Sequence, residues 1–433
     1  MRAIVSLFVA FLFIDISSAG AQPESIRIDS LTLDLAVSIG LEHHPTLQAA
    51  QAGVRVAEAG LKQARSNFFP SLSFSAAASH TEGVFVFNPS VPSRNQIYSN
   101  YTGGFAASQI IYDFGKTTGR VSASSDLVDA STFDEQSTRG NVIVNVQLAY
   151  IGYLAARRVV KVNQEAVDQA TKHLVQAKAF YAVGRRPQFD VTKAEVDLAN
   201  ANVNLIRARN AVTVARVTLE NAMGIHSANE YPVSDSLNIL TSTLSMDSAK
   251  AIALMQRQEI LAARSRVTAN EDLVSAAWGQ HLPTVSATGS WTWSTFEVPP
   301  PAYGRWSAGF TFALPIFQGF ALDAQVQQAK ANTEAAKANL ETLIESVTLE
   351  VEQTYLSLKE AQERIGASTK LVAQAEENLN LAERQYSAGV GTPLDVTDAQ
   401  VTRSNAQITY IQAVYDYNSS IVRLSRAVGL TGR

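Results

Sequence analysis

Two carboxylates near the end of the sequence are the residues best placed for chemistry. Asp395 and Asp398 lie three positions apart at the start of a predicted helix. Helix capping and the positive end of the helix dipole already favour aspartate at such positions. Whether these residues do more depends on the elements that hold them.

No other residues in the sequence form a pattern typical of catalysis or metal binding. The six histidines are scattered, and the adjacent His43 and His44 would point in different directions from a helix. The chain has no cysteine, which excludes a thiolate zinc site, a cysteine nucleophile and a lipidated N-terminal cysteine. Gly389-Val390-Gly391 lacks the Gly-Lys-Ser/Thr that continues a phosphate loop. We therefore expect no enzyme activity, no metal and no cofactor.

Composition and the first residues indicate an exported protein. The net charge of -4 gives no basic footprint for nucleic acid. Arg2, an apolar segment over 3–14 and Ala19-Gly20-Ala21 follow the order of a cleavable signal peptide, predicted to span 1–21. The chain has no apolar run of the roughly 18 residues that a transmembrane helix needs. If it crosses a membrane, we expect it to do so as strands.

The remaining sequence contains two copies of one unit. Phe69-Pro70-Ser71 matches Leu282-Pro283-Thr284 at an offset of 213 (70 to 283), and later matches lie at an offset of 205 (184 to 389). The predicted repeats are 22–224 and 244–433, joined by a polar linker at 225–243.

Each repeat contains two segments that alternate apolar and hydroxyl side chains, which is typical of strands. The predicted strands lie at about 71–80, 101–112, 283–294 and 305–314. Such a strand is long enough to cross a bilayer at a tilt, with its aromatic face toward lipid. The residues expected on that face are Trp291, Trp293, Trp306, Phe310 and Phe312. The alternative interpretation is a soluble β-sandwich in which one face of each sheet is exposed to solvent.

Long helices follow the strands in both repeats. The segments 122–183 and 323–388 lack proline, and their apolar residues recur in steps of three and four, as in a coiled coil. Gly184 and Gly389 are predicted to reverse each helical hairpin, because glycine adopts positive φ freely.

Four strands cannot close a barrel by themselves, since the smallest known membrane barrels have eight. An open edge inside a membrane would leave backbone groups unpaired at several kcal/mol each. Several copies must therefore share one barrel, with eight strands from two chains or twelve from three. Physical reasoning alone leaves both numbers open.

The segment from Arg384 to Gln400 resembles the second-hairpin signature of TolC-like outer-membrane factors. Phe69-Pro70-Ser71-Leu72, Leu314-Pro315-Ile316-Phe317 and the run from Ile111 to Lys116 are similar to that family's membrane-strand boundaries. The resemblance implies a mainly α fold with a β-barrel part: a trimer that combines a twelve-stranded barrel in the outer membrane with a periplasmic helical tunnel. It also implies contact with outer-membrane lipid, a periplasmic adaptor and an inner-membrane transporter of the RND or ABC type. The function implied is a passive exit duct for efflux or type I secretion.

The resemblance also assigns residues to sites. It places Asp395, Asp398, Tyr386 and Asp190 at a gate in the inner end of the tunnel, where rings of carboxylate would favour cations. The hairpin tips that would meet the adaptor comprise Gly184, Arg185, Arg186, Gly389, Gly391 and Thr392.

One residue departs from the family pattern. Gly391 stands where a basic residue is expected to pair with the carboxylate that matches Asp190, and Arg185 or Arg186 is the candidate substitute. A coiled-coil surface protein with no pore is the alternative function. The strands that alternate Trp with Thr or Ser argue against this alternative, because a fibrous coiled-coil protein does not need such strands.

Overall fold

The computed structural model describes residues 31–84, 95–225, 233, 244–295 and 304–430. The predicted signal peptide lies outside these residues, and only positions 225 and 233 of the predicted linker are described. Over the described residues, no helix combines the length and apolarity that spanning a membrane requires.

The two halves of the chain fold in the same order of elements. The first half contains α1 (Leu33–His43), α2 (Pro45–Arg65), β1 (Ser71–Val84), β2 (Asn95–Tyr112), α3 (Lys116–Ala182) and α4 (Gln188–Met223). The second half contains α5 (Met246–Gln256), α6 (Gln258–Gly279), β3 (Thr284–Thr295), β4 (Arg305–Ala313), α7 (Ala321–Ser387) and α8 (Pro393–Ala427). The predicted duplication and the mainly α class with a small β part are thereby confirmed.

Each half is dominated by one very long helix. Helices α3 and α7 have 67 residues each, which corresponds to a length of about 100 Å. Gly184 and Gly389 follow these helices with φ of 71° and 83°. A glycine adopts this left-handed conformation without the steric cost of a Cβ, so the chain reverses into α4 and α8 at these positions.

The two hairpins pack through small apolar residues. In the first hairpin, α3 and α4 bury Ala170, Ala177, Ala194, Leu205 and Ala208. In the second, Leu379, Ala382, Tyr386, Val396 and Ala399 form one cluster near the tip. Alanine at alternate seam positions brings the helix axes close together, as the heptad pattern predicted.

An ionic network joins the second repeat to α3 at the end of the hairpins remote from the tips. Glu259, at the start of α6, accepts hydrogen bonds from Ser137 of α3 (2.7 Å) and from Arg426 of α8. Arg257 also donates to Glu259, at 3.2 Å, and pairs with Glu350 of α7 at 2.6 Å. Burial by itself raises the pKa of Glu259, but the bonds from Arg426 and Ser137 outweigh it and lower the pKa to about 2. The charged form of Glu259 is therefore the form that holds these helices together.

The four strands form one antiparallel sheet in the order β1-β2-β3-β4. The β1–β2 pairing runs from Ser71 opposite Ser108 to Val84 opposite Asn95. Both strands therefore continue beyond the predicted 71–80 and 101–112. Alternation fades in this polar extension, so the continuation of the ladder was not visible in the pattern. Within the described chain, β1 and β4 each have a strand partner on one side only.

Candidate gate and membrane surface

The aromatic side chains of the sheet share one face. Phe74 of β1 lies opposite Phe105 of β2, which lies opposite Trp291 of β3, which in turn lies opposite Trp306 of β4. Because paired residues point to the same side of a sheet, these four rings form a row across it. The ring centroids of Phe74 and Phe105 are 5.0 Å apart, and those of Phe105 and Trp291 are 6.4 Å apart.

The aromatic face of the sheet continues toward the helices, and its side chains are exposed to solvent in the single chain. Phe310 and Phe312 lie opposite Ala287 and Val285, and Phe310 is 81% exposed. Trp293 is half-buried, because its ring lies across Gly103: a Cβ on that glycine would come within 2.5 Å of the ring. The structure thus places all five aromatic residues selected from the sequence on one face.

The opposite face is lined by hydroxyl groups. Thr288 and Thr311 point to this side, and the hydroxyls of Ser290 and Ser307 lie 2.9 Å apart across β3 and β4. An apolar aromatic face opposite a small polar face is the arrangement that a wall between lipid and water requires.

The hairpin tips bring together Tyr386 and Asp190, two of the four proposed gate residues. Tyr386 is 2% exposed and Asp190 is 5% exposed. Among the described residues, the Tyr386 hydroxyl and Asp190 Oδ2 have no hydrogen-bond partner. Burial raises the pKa of Tyr386, and the nearby Asp190 carboxylate raises it further. Buried polar groups without a hydrogen-bond partner are uncommon in folded proteins, and two of them lie together here.

Arg186 contacts the second hairpin where the family pattern expects a basic residue at 391. Its Nη2 donates to the Gly391 carbonyl at 3.0 Å, and its guanidinium carbon lies 5.2 Å from the centroid of the Tyr386 ring. No ion pair joins Asp190 to Arg185 or Arg186 in the part of the chain that the structure describes. The sequence suggested that Arg185 or Arg186 pairs with the Asp190 carboxylate. In the structure, Arg186 instead binds the Gly391 carbonyl and the face of the Tyr386 ring.

Gly391 leaves no room for a side chain. A Cβ there would lie 2.9 Å from the Tyr386 nitrogen and 3.1 Å from the carbonyl carbon of Gln385. The Gly391 amide also donates to the Gln385 carbonyl at 3.0 Å. This close approach of backbone to backbone requires glycine at position 391 of this chain.

Asp395 and Asp398 differ in their local roles. Asp395 Oδ2 accepts hydrogen bonds from the Thr392 amide (2.8 Å) and hydroxyl (2.7 Å), while the Asp395 amide donates to that hydroxyl. This is a capping box at the start of α8, and the bonds from Thr392 lower the pKa of Asp395. Asp398 lies one turn later and is exposed. The helix start therefore accounts for Asp395, whereas capping does not account for Asp398.

The remaining tip residues lie at the outer surface of the turns. Gly184, Arg185, Gly389 and Thr392 are exposed, whereas Arg186 is half-buried and Gly391 is buried. The outermost surface of the tips thus presents the backbone of both turns together with the side chains of Val183, Arg185 and Val390.

Three residues at the tips or behind them were not selected from the sequence. The rings of His173 and Phe180 lie 5.2 Å and 5.9 Å from the Tyr386 ring. Burial lowers the pKa of His173, although the Asp197 and Asp190 carboxylates oppose this shift. Arg403 of α8 lies 3.6 Å from Glu165 of α3. His173 lies midway between the seam residues Ala170 and Ala177, a spacing that could have marked it as buried.

Comparison with known proteins gives the wider context. A family model described as "Outer membrane efflux protein" matches residues 36–225 and 251–430. Outer membrane protein TolC of Escherichia coli is 26% identical over 408 residues, which cover 89% of this chain and 80% of that protein. Outer membrane efflux protein BepC of Brucella suis is 25% identical over 402 residues, which cover 92% of this chain and 86% of that protein.

Solved structures share the fold. A membrane protein from Pseudomonas aeruginosa superposes with a TM-score of 0.82 at 23% identity, over 94% of this chain and 92% of that chain. The CmeC outer membrane channel of Campylobacter jejuni superposes with a TM-score of 0.81 at 21% identity, over 92% of this chain and 86% of that chain. Since the family model matches both repeats and most of the sequence, the chain belongs to the outer membrane efflux protein family.

Proposed function

We propose that this chain is one subunit of a trimeric outer-membrane channel that serves as the exit duct of a tripartite efflux pump or a type I secretion system. The observation that carries the proposal is the four-stranded sheet. Its aromatic face is exposed, and its two outer strands each lack a partner on one side within the described chain. Such a sheet becomes stable in a bilayer when neighbouring copies pair with both edges.

The width of the resulting barrel favours three copies over two. Eight strands enclose an interior that side chains fill. Twelve strands enclose a wider lumen, which a duct for bulky cargo requires. The face opposite the aromatic row carries small hydroxyl side chains such as Thr288 and Thr311, which suit a water-filled interior.

Lipid contact follows from this arrangement. In the proposed barrel, Trp291, Trp293, Trp306, Phe310 and Phe312 face the outer membrane. The helices form the periplasmic tunnel, in keeping with a family of outer-membrane efflux proteins.

The family's members are channels, and the proposed role of this chain is likewise passive transport without catalysis. Within the described residues, no three His, Asp or Glu side chains come together as a metal site would require.

The proposed partners act at the hairpin tips. A periplasmic adaptor would contact the exposed surface formed by Gly184, Arg185, Gly389 and Thr392, with Arg186 and Gly391 beneath it. An inner-membrane transporter of the RND or ABC type would supply the energy. A generic duct does not select cargo, so the transported compound would be chosen by that transporter.

The gate proposal predicts a specific change in ion selectivity. In a trimer, Asp395 and Asp398 would form two carboxylate rings around the axis, which favour cations. Replacing Asp398→Asn removes three charges without touching the capping box, so planar-bilayer recordings at low salt should show reduced cation selectivity. Low salt is chosen because screening is then weakest.

The control for this recording is Thr392→Val, which removes the capping hydroxyl and leaves both charges in place. It should keep the selectivity of the unmodified protein. Unchanged selectivity in an Asp395→Asn, Asp398→Asn double variant would reject the rings. Absence of any conductance from the unmodified protein would reject the channel and favour a coiled-coil surface protein with no pore.

A further inference from the structure

Arg305 is distinguished by the face of the sheet on which it lies. Alternation along β4 places Arg305, Ser307, Gly309 and Thr311 on the hydroxyl face. Among the described side chains of this face, Arg305 alone is charged, and the others are mainly serine, threonine and smaller residues. Over these residues, the charge of the hydroxyl face is therefore positive and comes from Arg305.

The residues around Arg305 leave its side chain uncovered. Thr292 lies opposite it on β3, and Gly104 of β2 comes next in the same row. A Cβ at Gly104 would lie 2.3 Å from the Trp291 carbonyl oxygen, so this position has no room for a side chain that could cover the guanidinium. Arg305 is exposed, and within the described chain its guanidinium makes no hydrogen bond or ion pair. Its donors are therefore available to an incoming group.

The chemistry around Arg305 fits an oxyanion. A guanidinium presents its N–H donors in a planar fork that matches carboxylate and phosphate groups. The hydroxyls of Thr292 and Ser307, its neighbours on the same face, can donate further hydrogen bonds to such a group. Among the described residues of this face, no carboxylate competes for the guanidinium.

Arg305 lies at the end of the sheet remote from the helices. Strand β3 follows α6 and β4 leads back to α7, so Arg305 begins the returning strand at its far end. Arg305 and Ala313 are eight positions apart on β4 (305 to 313), a distance of about 27 Å. In the proposed channel, on which this inference rests, this end of the sheet forms the outer part of the barrel lumen. Asp395 and Asp398 lie at the opposite, periplasmic end.

The surroundings of a barrel lumen strengthen the effect of one charge. Lipid outside the barrel has a low dielectric constant, so the field of a charge inside is concentrated in the water of the lumen. Serine and threonine side chains along the described part of the wall do not oppose it with a negative charge.

We propose that Arg305 makes the outer part of the lumen an anion-binding segment, which binds the carboxylate or phosphate groups of cargo on its way out. The choice of cargo remains with the transporter, whereas Arg305 determines how strongly the anionic groups of that cargo are held at the exit. The carboxylates at the tips and the guanidinium at the exit then give the two ends of the duct opposite charge.

Cysteine reactivity beside Arg305 tests this proposal. The chain has no cysteine, so Ser307→Cys provides a single thiol two positions from Arg305 on the same face. Its reaction rates with a sulfonate-bearing and a trimethylammonium-bearing methanethiosulfonate reagent would be measured on the full chain in outer membranes. Arg305→Gln should lower the anionic-to-cationic rate ratio about fivefold at about 0.01 M salt, because a unit charge about 7 Å away acts on both reagents. Arg305→Lys should keep the ratio of the unmodified chain.

Two controls separate the charge from a change in the strand. Arg305→Thr combined with Thr292→Arg moves the guanidinium to the next strand of the same row, and should restore the ratio at Ser307→Cys. The thiol of Ser286→Cys, opposite Thr311, lies about 20 Å from Arg305, and its ratio should hardly respond to Arg305→Gln. An unchanged ratio at Ser307→Cys, an equal fall at both thiols, or no recovery in the relocated variant would overturn the proposal.

Inorganic tripolyphosphate measures anion binding itself. It should slow the reaction of Ser307→Cys with the sulfonate-bearing reagent, because it occupies the same guanidinium. Arg305→Gln should raise the tripolyphosphate concentration required by about tenfold, since the charge-assisted hydrogen bonds are lost. Equal concentrations for half protection in the two proteins would contradict a binding site at Arg305.

Ala308→Cys distinguishes failure of the proposed channel from failure of this inference. Ala308 lies on the aromatic face, one position after Ser307, and faces lipid in the proposed barrel. Its thiol should therefore react with neither charged reagent in outer membranes. Ready reaction of both thiols would reject the barrel. A protected Ala308→Cys together with a ratio at Ser307→Cys that ignores Arg305→Gln would leave the barrel intact and reject the role of Arg305.

Discussion

Phe310→Arg is expected to prevent stable insertion of the channel into the outer membrane. Phe310 is 81% exposed on the aromatic face of β4, which the proposed barrel turns toward lipid. An arginine facing lipid costs about 2–4 kcal/mol at the bilayer midplane, and a trimer contains the substitution three times. Urea-washed outer membranes should therefore contain little heat-modifiable oligomer of this variant.

Thr311→Arg is the matched control for this substitution. Thr311 is the next residue of the same strand and lies on the hydroxyl face, opposite Ser286. An arginine there would reach the aqueous lumen, so oligomer should accumulate at close to the unmodified level. Equal loss in both variants would contradict the barrel and favour a soluble sandwich with a buried interior.

Glu259→Gln is expected to destabilise the helical part by about 2 kcal/mol, because removing the carboxylate from this partly buried ionic network leaves one arginine without its charged partner. The charge left behind is Arg426, whose side chain is 12% exposed, whereas Arg257 keeps its ion pair with Glu350. A lower guanidinium midpoint, followed by far-UV circular dichroism of the detergent-solubilised protein, would measure the effect. Glu271→Gln, in the same helix, removes a surface pair with Lys337 and should shift the midpoint very little.

The same network predicts a dependence of stability on pH. Folding lowers the pKa of Glu259 from 4.5 to about 2. The unfolded chain therefore binds a proton that the folded chain does not, and the stabilisation is fully present above pH 4.5. It is lost as the pH falls toward 2. Glu259→Gln should remove this acid sensitivity, and an identical acid profile in the variant would show that other groups cause it.

The fold was largely predictable from the sequence because its elements follow local rules. Alternation in 283–294 predicted a strand, and the absence of proline in 323–388 predicted a long helix. The matched glycines at 184 and 389 predicted the hairpin turns. Each of these signals lies within one segment or repeats between the two copies, so no knowledge of packing was needed.

Contacts between hairpins were not predictable in the same way. The bond from Arg186 to Gly391 and the packing of His173 on Tyr386 join residues that are far apart in sequence. Heptad periodicity shows which side of a helix is buried, but it does not show which helix covers it. The hydrogen bonds that Glu259 accepts from Ser137 and Arg426 also join residues far apart in sequence, so they could not be predicted either. Asp395 is the opposite case, since Thr392 three residues before it is a local capping signal.

Cross-linking between the two edge strands tests the shared barrel most directly. Ser73→Cys in β1 would be combined in turn with Ser307→Cys, Gly309→Cys or Thr311→Cys in β4, all on the hydroxyl face. Ser290→Cys with Ser307→Cys, whose hydroxyls lie 2.9 Å apart in the same sheet, serves as the control that oxidises within one chain. Oxidation in outer membranes should convert one of the three combinations into a covalent ladder that ends at the trimer. A ladder that ends at the dimer, or no cross-link between copies in any combination while the control oxidises, would contradict a barrel built from three chains.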